Sequence, residues 1–209
     1  RTHIIQIISK FNTPEVLQTL EDLLKDTNRQ IRAAALLALG EMEVTPNIEL
    51  VASLLLDPDI DVQTKATELL IKLRHPDTCK HLVGVLKDES EYSRRAAVEV
   101  LNELADPKTI KFLLIAIGDG DWWVRSRACD ALATIGGPKV LQAVMQLIGD
   151  KDENIRRSAI EILNQTKDEN AVQHLIAATH DQDWWVSERA VDALAAIGNR
   201  DAVPRLTEM

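Results

Sequence analysis

Aromatic residues make up only 3% of this 209-residue chain, and cysteine and glycine are sparse, at 2 and 8 copies. With so few aromatics beside abundant Ala and Leu, the composition suits closely packed helices better than a β-sandwich, whose strands favour aromatic and β-branched residues. Cys79 and Cys129 lie far apart with no CxxC pattern, which excludes a disulfide framework and a zinc knuckle. Positive charge is short as well: 24 Lys and Arg against 33 Asp and Glu leave a net charge of -9. That balance repels phosphate backbones, so a nucleic-acid partner is not expected. No apolar run approaches the roughly 20 residues that cross a bilayer, and no charged stretch followed by an apolar one opens the chain. A membrane partner is not expected, and a cytoplasmic location is.

What is present is order and repetition. An apolar content of 45% with 27% charged residues describes a chain able to bury a sizeable core. Asp26, Asp57, Asp88, Asp119, Asp150 and Asp181 recur every 31 residues without insertion. In the tenth column of each unit stand Ala35, Ala66, Ala97, Ala128, Ala159 and Ala190, and in the fourteenth Leu39, Leu70, Leu101, Leu132, Leu163 and Leu194. The sixth column is apolar (Ile31, Val62, Val124, Ile155, Val186) except at Ser93. These columns trace one face of a helix. A second helix follows in each unit, as from Leu141, Val144 and Ile148 in the fourth. Each unit therefore reads as an αα-hairpin. Gly136-Gly137 and Gly198 with Asn199 stop first helices, Pro138 starts a second, and Asp121 and Asp183 cap helix N-termini.

The pattern D-x-x-x-x-V-R-x-x-A-x-x-x-L, as in Asp119 to Leu132, resembles the short HEAT-like repeats first named for phycobiliprotein lyases, and the resemblance covers essentially the entire chain. It implies an all-α fold, a right-handed α-α superhelix of stacked antiparallel helix pairs. The reading is one solenoid over 1–209, with a partial unit 1–25 and units 26–56, 57–87, 88–118, 119–149, 150–180 and 181–209. Arg1 falls in register with Arg32, Arg94, Arg125 and Arg156, and Met209 stops short of a full unit, so a fragment of a longer protein is expected. By the same resemblance, the first-column aspartates and seventh-column arginines form a hydrogen-bonded ladder between turns. Gln63 and Ser187 should interrupt it.

The resemblance also places the V-R helix on a concave binding surface. Its fifth column carries Tyr92, Trp123 and Trp185, aromatics that the apolar stripe does not require. Trp123, Arg127 and Asp130 share a face at i, i+4 and i+7, and Trp185, Arg189 and Asp192 repeat the arrangement two units later, with Arg157 and Glu161 between them. Tyr92 with Arg95 extends the series. These ten residues are the candidate contacts for a protein or peptide partner, because Trp, Tyr and Arg dominate interface hot spots. The alternative is that each indole lies flat and stacks on its own arginine. Trp122 and Trp184, at the helix start, are expected to be packing residues.

Catalysis finds little footing. His3, His75, His81, His174 and His180 form neither HExxH nor a His-Glu pair, unlike the di-iron hydroxylase built on similar repeats. Cys79 and Cys129 read as buried thiols. No cofactor or metal is expected, and the chain reads as a non-enzymatic scaffold. Two alternatives remain open: a phycobiliprotein-lyase-type chromophore binder, and a HEAT-like DNA glycosylase, which the acidic charge disfavours.

Overall fold

The structure, a computed structural model, describes residues 2–207. Arg1, placed above in the arginine column, and Met209, at the end of the last unit, lie outside the described residues. Among the described residues every regular element is helical. They form two compact units, 1–104 and 105–209.

The first unit contains α1 (Thr2–Ile8), α2 (Pro14–Leu23), α3 (Arg29–Glu41), α4 (Ile48–Ser53), α5 (Ile60–Leu73), α6 (Thr78–Val85) and α7 (Glu91–Leu104). Helices α1, α3, α5 and α7 pack on one another in order, with α2, α4 and α6 against them as a second layer. The second unit contains α8 (Ile110–Ala116), α9 (Trp122–Ile135), α10 (Gly137–Leu147), α11 (Glu153–Thr166), α12 (Val172–Ala178), α13 (Trp184–Ile197) and α14 (Val203–Thr207). Here α9, α11 and α13 make one layer, and α8, α10 and α12 pack on it. No helix among the described residues is long and apolar enough to cross a membrane.

The invariant columns have separate physical causes. Every member of the alanine column is fully buried, and no leucine of the fourteenth column exceeds 1% exposure. Alanine offers only a Cβ, so successive first helices can approach closely, while leucine fills the space between layers. The aspartate column is a backbone device: in all six copies the carboxylate accepts the amide two residues on, at 2.7–3.0 Å. This turn delivers the third-column residue to the N-cap. Asp59, Asp121, Asp152 and Asp183 cap there as aspartates, and Asn28 does so as asparagine.

The arginine ladder is present in parts. Arg32 Nη1 donates to the Asp26 carbonyl at 2.8 Å, while its Nε and Nη2 bridge the Asp57 carboxylate, both at 2.7 Å. Arg156 repeats this with the Asp150 carbonyl at 2.9 Å and the Asp181 carboxylate at 2.9 and 3.2 Å. Gln63 keeps the carbonyl bond, Nε2 to Asp57 O at 2.8 Å, and supplies no cation to the next turn. Ser187 turns instead to the Thr179 carbonyl at 2.8 Å.

A further column was not legible from residue types. Asn12, Arg74, Ala105, Gly136, Lys167 and Gly198 all have φ between 42 and 71° and share the eighteenth position, just past a first helix. Only two of these six are glycines, and of those Gly198 forms the left-handed cap whereas Gly136 departs from it at ψ -157°.

Candidate partner-binding face

The second unit's first-helix layer carries most of the predicted contacts. Asp121 accepts the amides of Trp123 and Val124, both at 3.1 Å, and Asp183 accepts that of Trp185 at 3.0 Å, so each Trp pair occupies the first two positions of its helix. With Val124 and Val186 buried on the core stripe, the preceding indoles are forced onto the flanks. Trp123 and Trp185 are half-buried. The Arg127 guanidinium lies 5.3 Å from the Trp123 ring centre, and that of Arg189 lies 5.4 Å from Trp185. Each arginine also pairs with the next carboxylate, Arg127 with Asp130 at 3.3 Å and Arg189 with Asp192 at 3.1 Å. Both shared faces are therefore formed, and with them the i+4 stacks that belonged to the alternative reading of these indoles.

Trp122 and Trp184 require a correction. Expected to pack, they are instead 65% and 70% exposed. The N-cap starts the helix directly before them, which points the first residue of the pair away from the Val stripe. Trp122 and Trp185 together wall a groove of about 430 Å³ that crosses α11. Its polar lining includes Ser126, Asn154, Arg157 and Gln165. Four of the predicted contacts, Asp130, Arg157, Glu161 and Trp185, line it, whereas Trp122, Ser126, Asn154 and Gln165 were missed from the sequence; for Trp122 the doublet itself was the available signal.

Arg157 and Glu161 sit in this groove as well. Arg157 Nε reaches the capping carboxylate Asp183 at 2.6 Å, an inter-repeat clasp that spacing did not reveal. That bond, first of all, holds the Asp183 carboxyl below its ordinary range, and burial opposes the shift. The Gln165 amide bridges Asp130 at 3.1 Å and Glu161 at 3.5 Å, tying two repeats together. Cys129 lies beneath, its thiol pushed up to about 12 by burial and donating to the Ser158 carbonyl at 3.7 Å. Cys79 is buried also. Among the described residues no His, Cys, Asp and Glu group is placed to hold a metal ion.

Thus eight of the ten predicted contacts, Trp123, Arg127, Asp130, Arg157, Glu161, Trp185, Arg189 and Asp192, lie in α9, α11 and α13. Tyr92 and Arg95 belong to α7 in the first unit, with Arg95 stacked 5.7 Å from the Tyr92 ring centre.

The sequence pattern of HEAT repeats matches residues 1–70, 48–119, 110–187 and 150–209, which together span the chain. The chain belongs to the HEAT-repeat family. These HEAT repeats share their fold with Kap95p in its complex with RanGDP, at 18% identity and a TM-score of 0.64, covering 92% of this chain and 32% of Kap95p. The CpcE and CpcF complex of phycocyanin lyase from Nostoc sp. PCC7120 aligns at 19% identity and a TM-score of 0.53, covering 70% of this chain and 96% of that one. The archaeal HEAT-like repeats protein from Thermococcus onnurineus NA1 aligns at 14% identity and a TM-score of 0.50, covering 93% and 92%. This chain spans 58% of the length of one engineered protein of similar fold and 96% of another. No curated protein matches by sequence.

Proposed function

We propose that these HEAT repeats form a non-enzymatic interaction module, and that the α9, α11 and α13 face binds an extended segment of a protein partner. The observation that carries this reading is the exposure of Trp122 at the edge of a groove whose far wall is Trp185. An indole as exposed as Trp122 contributes little to folding, and in an interface core an indole contributes on the order of 2 kcal/mol or more. Ser126, Asn154 and Gln165 present hydroxyl and amide groups suited to a peptide backbone. Arg127 and Arg189 are already neutralised by Asp130 and Asp192, so they stiffen the aromatic flanks rather than supply free charge. The Cys129 thiol, buried and pushed up to about 12, supplies no nucleophile to the groove. Kap95p, an array of similar fold seen with RanGDP, supports it by analogy.

The test is selection of displayed peptides on the full chain, followed by affinity measurement against the Trp122→Ala/Trp185→Ala double variant. Affinity should fall by about 30-fold or more, with helicity and melting nearly unchanged. Peptides that hold the double variant as tightly as the parent would remove the face from consideration.

A further inference from the structure

The gap in the arginine ladder of the first unit leaves an unfilled electrostatic position. Where the seventh column is Arg, as at Arg32 and Arg156, one guanidinium satisfies its own turn's carbonyl and the next turn's carboxylate together. Gln63 is shorter and neutral, and its Nε2 is spent on the Asp57 carbonyl. Its Oε1 is left with no hydrogen-bond partner although the residue is only 6% exposed. Asp88, the next turn's aspartate, receives the Ser90 amide at 3.0 Å and no cation among the described residues. Gln63 and Asp88 line a groove of about 520 Å³, within the range of small-ligand sites. No lining residue is basic. The neighbouring carboxylates Asp57 and Asp59 are already paired with Arg32 and Arg29, both at 2.7 Å. The groove thus offers a carboxylate that accepts the Ser90 amide and meets no cation among the described residues, and an amide oxygen that accepts no hydrogen bond. Leu56, Ile60 and Tyr92, 47%, 57% and 51% exposed, border it with apolar surface.

We propose that this groove takes the guanidinium of an arginine from an extended segment of a partner protein, which occupies the ladder position that Gln63 vacates. A planar group with five N–H donors can pair with Asp88 and, as the buried Gln63 amide turns toward the groove, donate to its Oε1 as well, which a point-like ammonium does less well. The apolar border suits the arginine stem and flanking aliphatic residues. The site lies wholly within the first unit and does not rest on the reading of the α9, α11 and α13 face.

An NMR titration of the ¹⁵N-labelled full chain tests it, with three probes: N-acetyl-arginine methylamide, its citrulline counterpart, and acetyl-Leu-Arg-Leu amide. The arginine probes should move the Ser90, Tyr92 and Ser93 amides, and citrulline should bind about tenfold more weakly or worse, as loss of a charge-assisted hydrogen bond implies. The Leu-flanked probe should bind more tightly than the single residue. Asp88→Asn should lose the site, and Gln63→Arg should lose it while raising Tm, because the introduced side chain fills the gap from within. Trp122→Ala/Trp185→Ala should bind all three probes as the parent does. Equal binding of arginine and citrulline, or undiminished binding by Gln63→Arg, would overturn the proposal. Equal affinity for the flanked and single-residue probes would overturn its assignment to a protein segment.

Discussion

At the scale of single residues, the clasp between Arg157 and Asp183 links the stability of the second unit to pH. The Arg157 guanidinium holds the Asp183 carboxyl below its ordinary range, whereas the unfolded group titrates near about 3.9. A depressed carboxyl binds fewer protons folded than unfolded, so its contribution is complete above that value and lost as pH falls through the folded one. Arg157 is partly exposed, so its replacement by Ala is expected to cost only about 0.5–1 kcal/mol at pH 7. The gap between urea melts of parent and Arg157→Ala should narrow as pH falls below about 3.9; a gap that stays constant would assign the cost to lost packing. Cys129 gives the opposite sign. Its thiol is raised to about 12 against an unfolded value near about 8.5, so the favourable term is whole below pH 8 and drains away as pH climbs between the two. Iodoacetamide at pH 8 should leave Cys129 of the folded chain unmodified, and rapid alkylation would contradict its burial.

At the scale of the helix, termini are governed by columns that residue identity reveals unevenly. The start was readable because Asp and Asn cap through their side chains, and Asp121 and Asp183 do so as expected. The stop was readable at Gly136 and Gly198, but Arg74 and Lys167 take the left-handed conformation of Gly198, and Ala105 its positive φ, without advertising it. Lys167→Gly should therefore stabilise by up to about 1 kcal/mol, read as a higher urea midpoint at constant m-value; a lower midpoint would show that the lysine side chain earns its place. Period and columns made the hairpins and the Trp123 and Trp185 stacks legible, because they depend on neighbours three or four residues away. The Arg157 clasp and the Gln165 bridge were not, because they depend on contacts between repeats; the outward turn of Trp122 was missed although the Asp121 cap already set the helix start. The ladder offers a comparison within one unit. Arg156→Ala removes a bidentate bridge between turns, while Arg125 bonds only the Asp119 and Gly120 carbonyls among the described residues. The first substitution should cost about 2–3 kcal/mol and the second about 1.

At the scale of the whole molecule, HEAT repeats contact chiefly their sequence neighbours, so perturbations stay local and stability is close to a sum over units and interfaces. Hydrogen exchange of Arg156→Ala should weaken protection in α9 to α13 and leave α3 to α7 as in the parent. The same locality allows two surfaces with different chemistry on one chain: an aromatic groove across α11, and a carboxylate-bearing groove where Gln63 interrupts the ladder. The central claim concerns the first. It is tested most directly by a hydrogen-exchange footprint of a selected peptide on the full chain. Protection is predicted at the starts of α9 and α13 and along α11, around Ser126, Asn154 and Gln165. Protection confined to α10 and α12, with α9, α11 and α13 unchanged, would contradict it.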